Sequence, residues 1–238
     1  MKKPYHSIPI RECGEKMLPI PSDIFCLGIP HIYEVLGAPY NGATPWMLRE
    51  GVLASLIAAQ KRLSAIKPGW KIKLSDAYRP ISVQKFMVDL EMQKQATDMG
   101  LDFQNLSEEE HKIVTEKVLH FWAIPSDDPL SPPPHSTGAA FDCTIIDEYG
   151  KEIDTGSYID DFSEKASPDF FANAQDAASQ HCHSMRQLLK TILTAEGFVQ
   201  FHNEWWHFSK GDQLSVWIKN QMLNDFKDSF AIYGRVDT

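Results

Sequence analysis

The chain has 238 residues, somewhat long for one domain and short for two, and long enough to bury a large core without disulfide staples. Hydrophobic residues make up 43% and charged residues 23%, the balance of an ordinary globular protein. A formal net charge of -9 argues against nucleic-acid binding, which needs clustered Lys and Arg, and gives no attraction to an anionic membrane.

The first residues, MKKPYHSIPIRECGEKMLPI, hold no apolar stretch of ~7–15 residues and do not read as a signal peptide. No run approaches the ~18 apolar residues of a membrane span. Residues 1–45 are rich in Pro and Gly. They are expected to be an irregular segment packed on a single domain covering 1–238, with extended pieces at Ile24–Cys26 and His31–Val35. Leu48, Val52, Leu56, Ala59 and Leu63 predict a helix over Trp46–Ile66, stopped by Lys67-Pro68-Gly69. Trp70–Tyr78 alternates like a strand, with Ile72 and Leu74 on one face. Ser82 is placed to N-cap a helix carrying Val83, Phe86, Met87 and Leu90. Ser107 and Glu110 form a capping box for a third helix, through Ile113, Val114, Val118 and Phe121, ending before Pro125.

Ala140–Ile146 reads as a second apolar strand. Ser184–Glu196 predicts a helix with Met185, Leu188, Leu189, Ile192 and Leu193 as its buried stripe and Gly197 at C′. Phe198–Phe208 is aromatic-rich and reads as a strand, and Leu214–Phe226 as a last helix. Helices and strands mix without regular βαβ alternation, which predicts an α+β fold. Cys13, Cys26, Cys143 and Cys182 are scattered with no Cys-x-x-Cys pair, which excludes a zinc ribbon or a thioredoxin motif. Four is an even number, so disulfides stay open. The simpler reading is four free thiols in a reducing compartment, hence a cytoplasmic protein unless a leader has been removed.

Two segments carry metal-ligating types. In Ser131-Pro-Pro-Pro-His135-Ser-Thr-Gly-Ala-Ala-Phe-Asp142, a triple proline holds an extended approach to His135. Gly138 permits a bend, and a strand begins near Asp142. Imidazole and carboxylate are both zinc ligands. Taken alone, His135 reads equally as a solvated loop histidine and Asp142 as a turn residue.

In Phe201-His202-Asn203-Glu204-Trp205-Trp206-His207-Phe208, Glu204 and His207 sit in an aromatic frame, and Trp205, Trp206 and Phe208 could wall a desolvated cavity. Such a cavity raises a carboxyl pKa toward that of a general base. Residues three apart on a regular strand point to opposite faces, so a shared site needs either an irregular strand here or a Glu204 that reaches metal-bound water from the side. Combined, two His and one Asp leave a fourth zinc position to water. Arg79, in Ser75-Asp-Ala-Tyr-Arg-Pro80, is a candidate partner for a developing oxyanion, or alternatively a salt bridge to Asp76.

SDAYRP, HSTGAAFD and EWWHF, in that order, resemble the signature blocks of the vancomycin-resistance-type D-alanyl-D-alanine dipeptidases. These are zinc metallopeptidases of the superfamily that includes D,D-carboxypeptidases, lysostaphin-type enzymes and the hedgehog signalling domain. LREGVLASLIAAQKRL, DTGSYIDDFSEKASPDFF and MRQLLKTILTAEGF resemble the family's early helix, middle loop and late helix, so the likeness covers nearly the whole chain. The resemblance implies a small central antiparallel sheet flanked by helices and one zinc ion per chain. It implies His135, Asp142 and His207 as zinc ligands, Glu204 as catalytic base, Arg79 as stabiliser of the tetrahedral intermediate, and Asp160 near the substrate's amino group. The implied activity is hydrolysis of D-alanyl-D-alanine or a closely related free dipeptide. The alternatives are a D,D-carboxypeptidase acting on peptidoglycan stem peptides and a zinc-bearing module without catalysis. The pattern departs from the family at Pro133, where a Ser that can contact substrate is common, and at Thr155, where Met is common. No Gly-x-Ser-x-Gly elbow is present.

Overall fold

The computed structural model describes residues 3–121, 123, 125–161, 163–225 and 229–236, without the side chains of 120 and 121. Met1, Lys2, Phe162, the Phe121 side chain and Phe226, the expected last residue of the final helix, lie outside the described residues.

Seven strands and six α-helices are described. The strands are β1 (Met17–Pro19), β2 (Cys26–Leu27), β3 (Met47–Arg49), β4 (Lys71–Asp76), β5 (Ala140–Ile146), β6 (Val199–Gln200) and β7 (His207–Ser209). The helices are α1 (Ile32–Val35), α2 (Glu50–Ile66), α3 (Ile81–Asp98), α4 (Glu108–Phe121), α5 (Ala177–Thr194) and α6 (Gln213–Leu223). The fold is α+β. Its main sheet has the order β2-β4-β5-β7-β6, antiparallel except for the parallel edge pair β2–β4. β1 and β3 form a separate antiparallel pair.

β5 is buried along its whole length, as a strand with neighbours on both edges and packing on both faces must be. Phe141, Cys143 and Ile145 point to one side, into a core built with Ile72 and Leu74 of β4, Leu56 and Leu63 of α2, and Leu189 and Leu193 of α5. Asp142 and Thr144 point to the other side. That alternation separates a hydrophobic face from a chemical one within a single strand.

Several expected elements take a different form. The first helix begins at Glu50, because Met47–Arg49 pairs with Met17–Pro19 instead of continuing the helix. Arg49 holds the strand in place: its guanidinium donates to Thr137 O (2.9 Å), Glu15 O (2.7 Å) and Gly234 O (3.2 Å). Those long-range bonds outweigh local helix propensity. His31–Val35, expected to be extended, contains the single helical turn α1. Extended structure in that region lies instead at Met17–Pro19 and Cys26–Leu27. Ser82 does not cap α3. The helix starts one residue earlier, behind Pro80, and Ser82 Oγ donates to Pro39 O at 2.8 Å.

The Ser107–Glu110 capping box forms as expected, with Ser107 N donating to Glu110 Oε2 (2.8 Å) and Glu110 N to Ser107 Oγ (3.3 Å). α3 and α4 then pack through Val88, Met92, Ala96, Val114 and Val118. α5 begins at Ala177, before the expected Ser184, because Asp176 caps it by accepting from Ser179 N at 2.9 Å. Its end follows the glycine pattern: Gly197 has φ +86°, Gly197 N donates to Thr194 O and Phe198 N to Leu193 O.

Phe198–Phe208 is not one strand but a hairpin, β6 and β7 joined by a tight excursion over 201–206. Trp205 N donates to Ala166 O and Gln200 Nε2 to Trp205 O, which fix the turn from both sides. All four cysteines are free thiols, Cys143 and Cys182 buried. Among the described residues no helix is long and apolar enough to cross a membrane.

Candidate metal centre

Strand register assembles the centre. Asp142 on β5 lies directly opposite Asp76 on β4 and directly opposite His207 on β7. Residues directly opposite on neighbouring strands share a face. One row across three strands therefore carries Asp76, Asp142 and His207 on the side away from the hydrophobic core.

His135 enters from a 3₁₀ turn over Pro134–Thr137, preceded by Pro133 in an extended conformation. Its Nδ1–H donates to Ala77 O at 2.6 Å, which leaves Nε2 as a lone-pair atom facing the row. Gly138 closes the turn with φ +68°. A Cβ there would run into Met17 Sδ and Cε. Gly138→Ala combines left-handed strain of about 1–3 kcal/mol with that clash. It is expected to lower the denaturation midpoint measurably, and an unchanged midpoint would show that the turn yields freely.

The three residues are each at most 5% exposed. His135 Nε2 is 3.2 Å from His207 Nδ1 and 3.4 Å from Asp142 Oδ2, and His207 Nδ1 is 2.9 Å from Asp142 Oδ1. Tetrahedral ligation with bonds of ~2.0–2.1 Å sets donors ~3.3 Å apart, so the donor separations fit a single cation. The chemistry fits too. Two buried imidazole nitrogens and a carboxylate oxygen converge on one point, and among the described residues this is the one cluster of metal-ligating types found.

The charges agree with that geometry. Burial works against ionised Asp142, yet the neighbouring His135 and His207 hold its carboxyl far below the usual range. Burial likewise disfavours charged His207, and the bond to Asp142, with the charges of Asp142, Glu204 and Asp212, reverses it and raises the group.

Glu204 lies in the 201–206 turn, so the period-two objection to its sharing a face with His207 disappears. Its Oε2 is 3.9 Å from His207 Nδ1. Burial pushes its carboxyl up to about 8, with Asp142 and Asp160 adding to the shift and His207 and Arg79 opposing it. Arg79 forms the salt bridge to Asp76 that the sequence left open and also lines the cleft. It pairs with Asp76 through Nε and extends Nη2 to Asp142 Oδ2 at 3.3 Å, while Nη1 donates to Gln84 Oε1 at 3.1 Å. It lies at the cleft wall with its charge secured.

Asp160, in the middle loop with φ +62°, stands at the exposed rim, where its Oδ2 accepts from Tyr33 OH at 3.1 Å. Loss of bulk water around the carboxylate and the Asp142 charge raise it to about 6. The cleft is lined by all six of these residues and also by Trp206, Phe201 and Trp217. Of the expected aromatic wall, only Trp206 faces it. Trp205 and Phe208 are in the hydrophobic core, because the hairpin turn rotates them to the other side. Pro133 lines the cleft, whereas Thr155 is buried in the middle loop with its carbonyl held by Arg186.

Sequence reasoning missed the supports. His31 Nε2 bonds Asp76 Oδ1 at 3.1 Å, and Gln84 Nε2 donates to Ala123 O while its oxygen holds Arg79. Buried Arg186 donates to Thr155 O (2.8 Å), Ser167 O (2.8 Å) and Ser157 Oγ (3.1 Å), and its guanidinium lies 4.9 Å and 5.1 Å from the Phe171 and Trp205 ring centres. It ties the loop bearing Asp160 to α5. These contacts join distant segments, so no local pattern announces them.

Two histidines, an aspartate and a cleft carboxylate on an antiparallel sheet define a metallopeptidase type of centre. A family model described as D-ala-D-ala dipeptidase matches residues 28–229, and the chain belongs to that family of metal-dependent peptidases. A D-alanyl-D-alanine dipeptidase of Synechocystis sp. is 42% identical over 241 residues, covering 99% of this chain and 97% of the relative. One of Escherichia coli is 39% identical over 74 residues, 31% of this chain and 36% of that protein. Among solved structures, the LdcB LD-carboxypeptidase covers 90% of this chain and 76% of its own, with 14% identity and a TM-score of 0.45.

Proposed function

We propose that one zinc ion, held by His135, Asp142 and His207, serves the hydrolysis of D-alanyl-D-alanine or a closely related free dipeptide, on one domain spanning residues 1–238. The observation that carries this reading is the convergence of one ligand atom from each of three buried side chains, all within 4.8 Å of one another, beside a carboxylate that is not one of them. Zinc in that set would act as a Lewis acid, polarising a carbonyl and acidifying water.

The chain's own groups do the rest. Glu204 takes the proton of the attacking water and passes it to the leaving amine nitrogen. Its raised pKa suits that exchange, although a divalent charge nearby would draw it down again. Arg79 presents a permanent cation to the developing oxyanion. Trp206, Phe201 and Trp217 exclude bulk water, which strengthens each of these interactions. Asp160 at the rim receives the substrate's ammonium group. The four free thiols support a cytoplasmic site of action.

The test is a substrate panel on zinc-loaded protein: D-Ala-D-Ala, its L,L and L,D isomers, the N-acetylated form and a longer stem peptide. The free D,D-dipeptide is expected to be turned over fastest. Loss of a charged hydrogen bond on N-acetylation corresponds to roughly a 10–100-fold drop. Equal turnover of free and N-acetylated dipeptide would remove Asp160 from substrate selection. A stem peptide cleaved as fast as the dipeptide would favour a carboxypeptidase.

A further inference from the structure

We propose that Lys3 is a specificity-determining residue that receives the substrate's C-terminal carboxylate, carried on an N-terminal segment anchored across the cleft. This rests on the dipeptide reading above and names the end of the substrate that it leaves unassigned.

A free dipeptide is a zwitterion, so a site for it needs an acid at one end and a cation at the other. Among the described residues, the Lys and Arg side chains lining the cleft are Lys3 and Arg79. Arg79 is committed to Asp76, Asp142 and Gln84. Lys3 is half-buried, and its Nζ donates to Leu119 O at 2.7 Å. It forms no ion pair with another described residue. An ammonium has three donors, so donors remain for a ligand. A partly desolvated cation with no acid at ion-pair distance is costly, and a substrate carboxylate offsets that cost.

The segment is built to hold its place. Lys3 precedes a 3₁₀ turn over Pro4–Ser7. Tyr5 in that turn is buried against Val199, Leu214 and Ile218. Gln213 Nε2 donates to Ile8 O at 2.6 Å, and Ile10 bridges to Ala231. Pro4 and Tyr5 line the cleft beside Lys3.

Polarity agrees with the reaction. Lys3 and Asp160 both line the cleft and both lie within charge range of Glu204. Glu204 delivers its proton to the amine of the second residue, and that residue's carboxylate is one Cα further on. A cation at Lys3 and an anion at Asp160, lining one cleft with Glu204, match the carboxylate and the ammonium of one zwitterionic dipeptide.

The experiment uses zinc-loaded Glu204→Gln protein, which keeps the side-chain shape while suppressing turnover, and titrates D-alanyl-D-alanine and D-alanyl-D-alaninamide calorimetrically. With Lys3 present, the carboxylate form is expected to bind roughly 10–100-fold more tightly than the amide. Lys3→Met, which keeps the stem, loses that preference by weakening the dipeptide alone, and Lys3→Arg retains it. In the Glu204 enzyme, Lys3→Met raises KM with kcat little changed. Equal affinity for the two ligands, binding of neither, or equal weakening of both by Lys3→Met overturns the proposal. Carboxylate-dependent binding by a wild-type protein that hydrolyses neither ligand would count against the dipeptidase reading and leave Lys3 in place. Unfolding midpoints of the Met and Arg variants separate a lost contact from a lost fold.

Discussion

Glu204→Ala is expected to lower kcat/KM on D-Ala-D-Ala by about 10²–10⁴, the range ascribed to a positioned proton-transfer group, while zinc content stays at one ion per chain. The split follows from position. Glu204 Oε2 stands 3.9 Å from His207 Nδ1, beside the converging donors and outside them. Its residue lies in a turn held by backbone bonds, so truncation does not unseat β6 or β7. Metal analysis with steady-state kinetics checks this, and full activity in the variant would remove Glu204 from the mechanism.

A second readout comes from stability. The Glu204 carboxyl rises from 4.5 to about 8 in the metal-free fold. A raised carboxyl binds its proton more tightly when folded, so its contribution is present below pH ~4.5 and lost as pH climbs toward ~8. Glu204→Gln should therefore gain thermal stability over wild type at pH 8 more than at pH 5, measured on metal-free protein.

The second large effect concerns the donors themselves. His135→Ala is expected to lose zinc and at least about 10³-fold in activity, since two protein ligands do not replace three at a catalytic site. The fold should survive, because His135 sits on a turn outside the main sheet and its other tie is one bond to Ala77 O. Asp142→Asn should differ. It also loses zinc, but it leaves Arg79 with one fewer buried anion and His207 with a neutral acceptor in place of an ionised one. Breaking a buried pair from one side costs about 3–5 kcal/mol. The remaining Asp76 partner places the expected loss at the lower end. Zinc titration and denaturant unfolding on the two variants distinguish these outcomes, and identical unfolding midpoints would show that Asp142 serves the metal alone.

Legibility differed by residue, for physical reasons. Ala140–Ile146 was readable to the residue because a strand buried on both faces is a continuous apolar run between turn signals. The Ser107–Glu110 box and Gly197 are local chemistry and appeared where the sequence placed them. His135, Asp142, Glu204, His207 and Arg79 were recognisable from motif order; the register of β5 and β7 sets Asp142 opposite His207, and the segments flanking β4, β5 and β7 bring Arg79, His135 and Glu204 to the same cleft. Met47–Arg49 was not readable, since a helical spacing of apolar residues is overridden by what Arg49 bonds far away. The Phe198–Phe208 hairpin was hidden because no Gly or Pro marks its turn. His31, Gln84, Tyr33, Lys3 and Arg186 act through partners that are distant in sequence or on separate elements, and single-segment patterns carry no trace of such pairings.

The row Asp76–Asp142–His207 has a consequence for how such a protein can change. Its spacing is inherited from backbone ladders and from the register shift between Leu74 and Asp76 that sets Asp76 opposite Asp142, so a further one-residue slip would turn the members of a strand to the opposite face. The two contacts proposed for the substrate's ends stand on separate chain excursions, the middle loop around Asp160 and the segment before Tyr5. Chemistry and selectivity are thereby inherited independently. Grafting either excursion from a relative should redirect which dipeptide is cut while leaving the metal affinity of the recipient untouched.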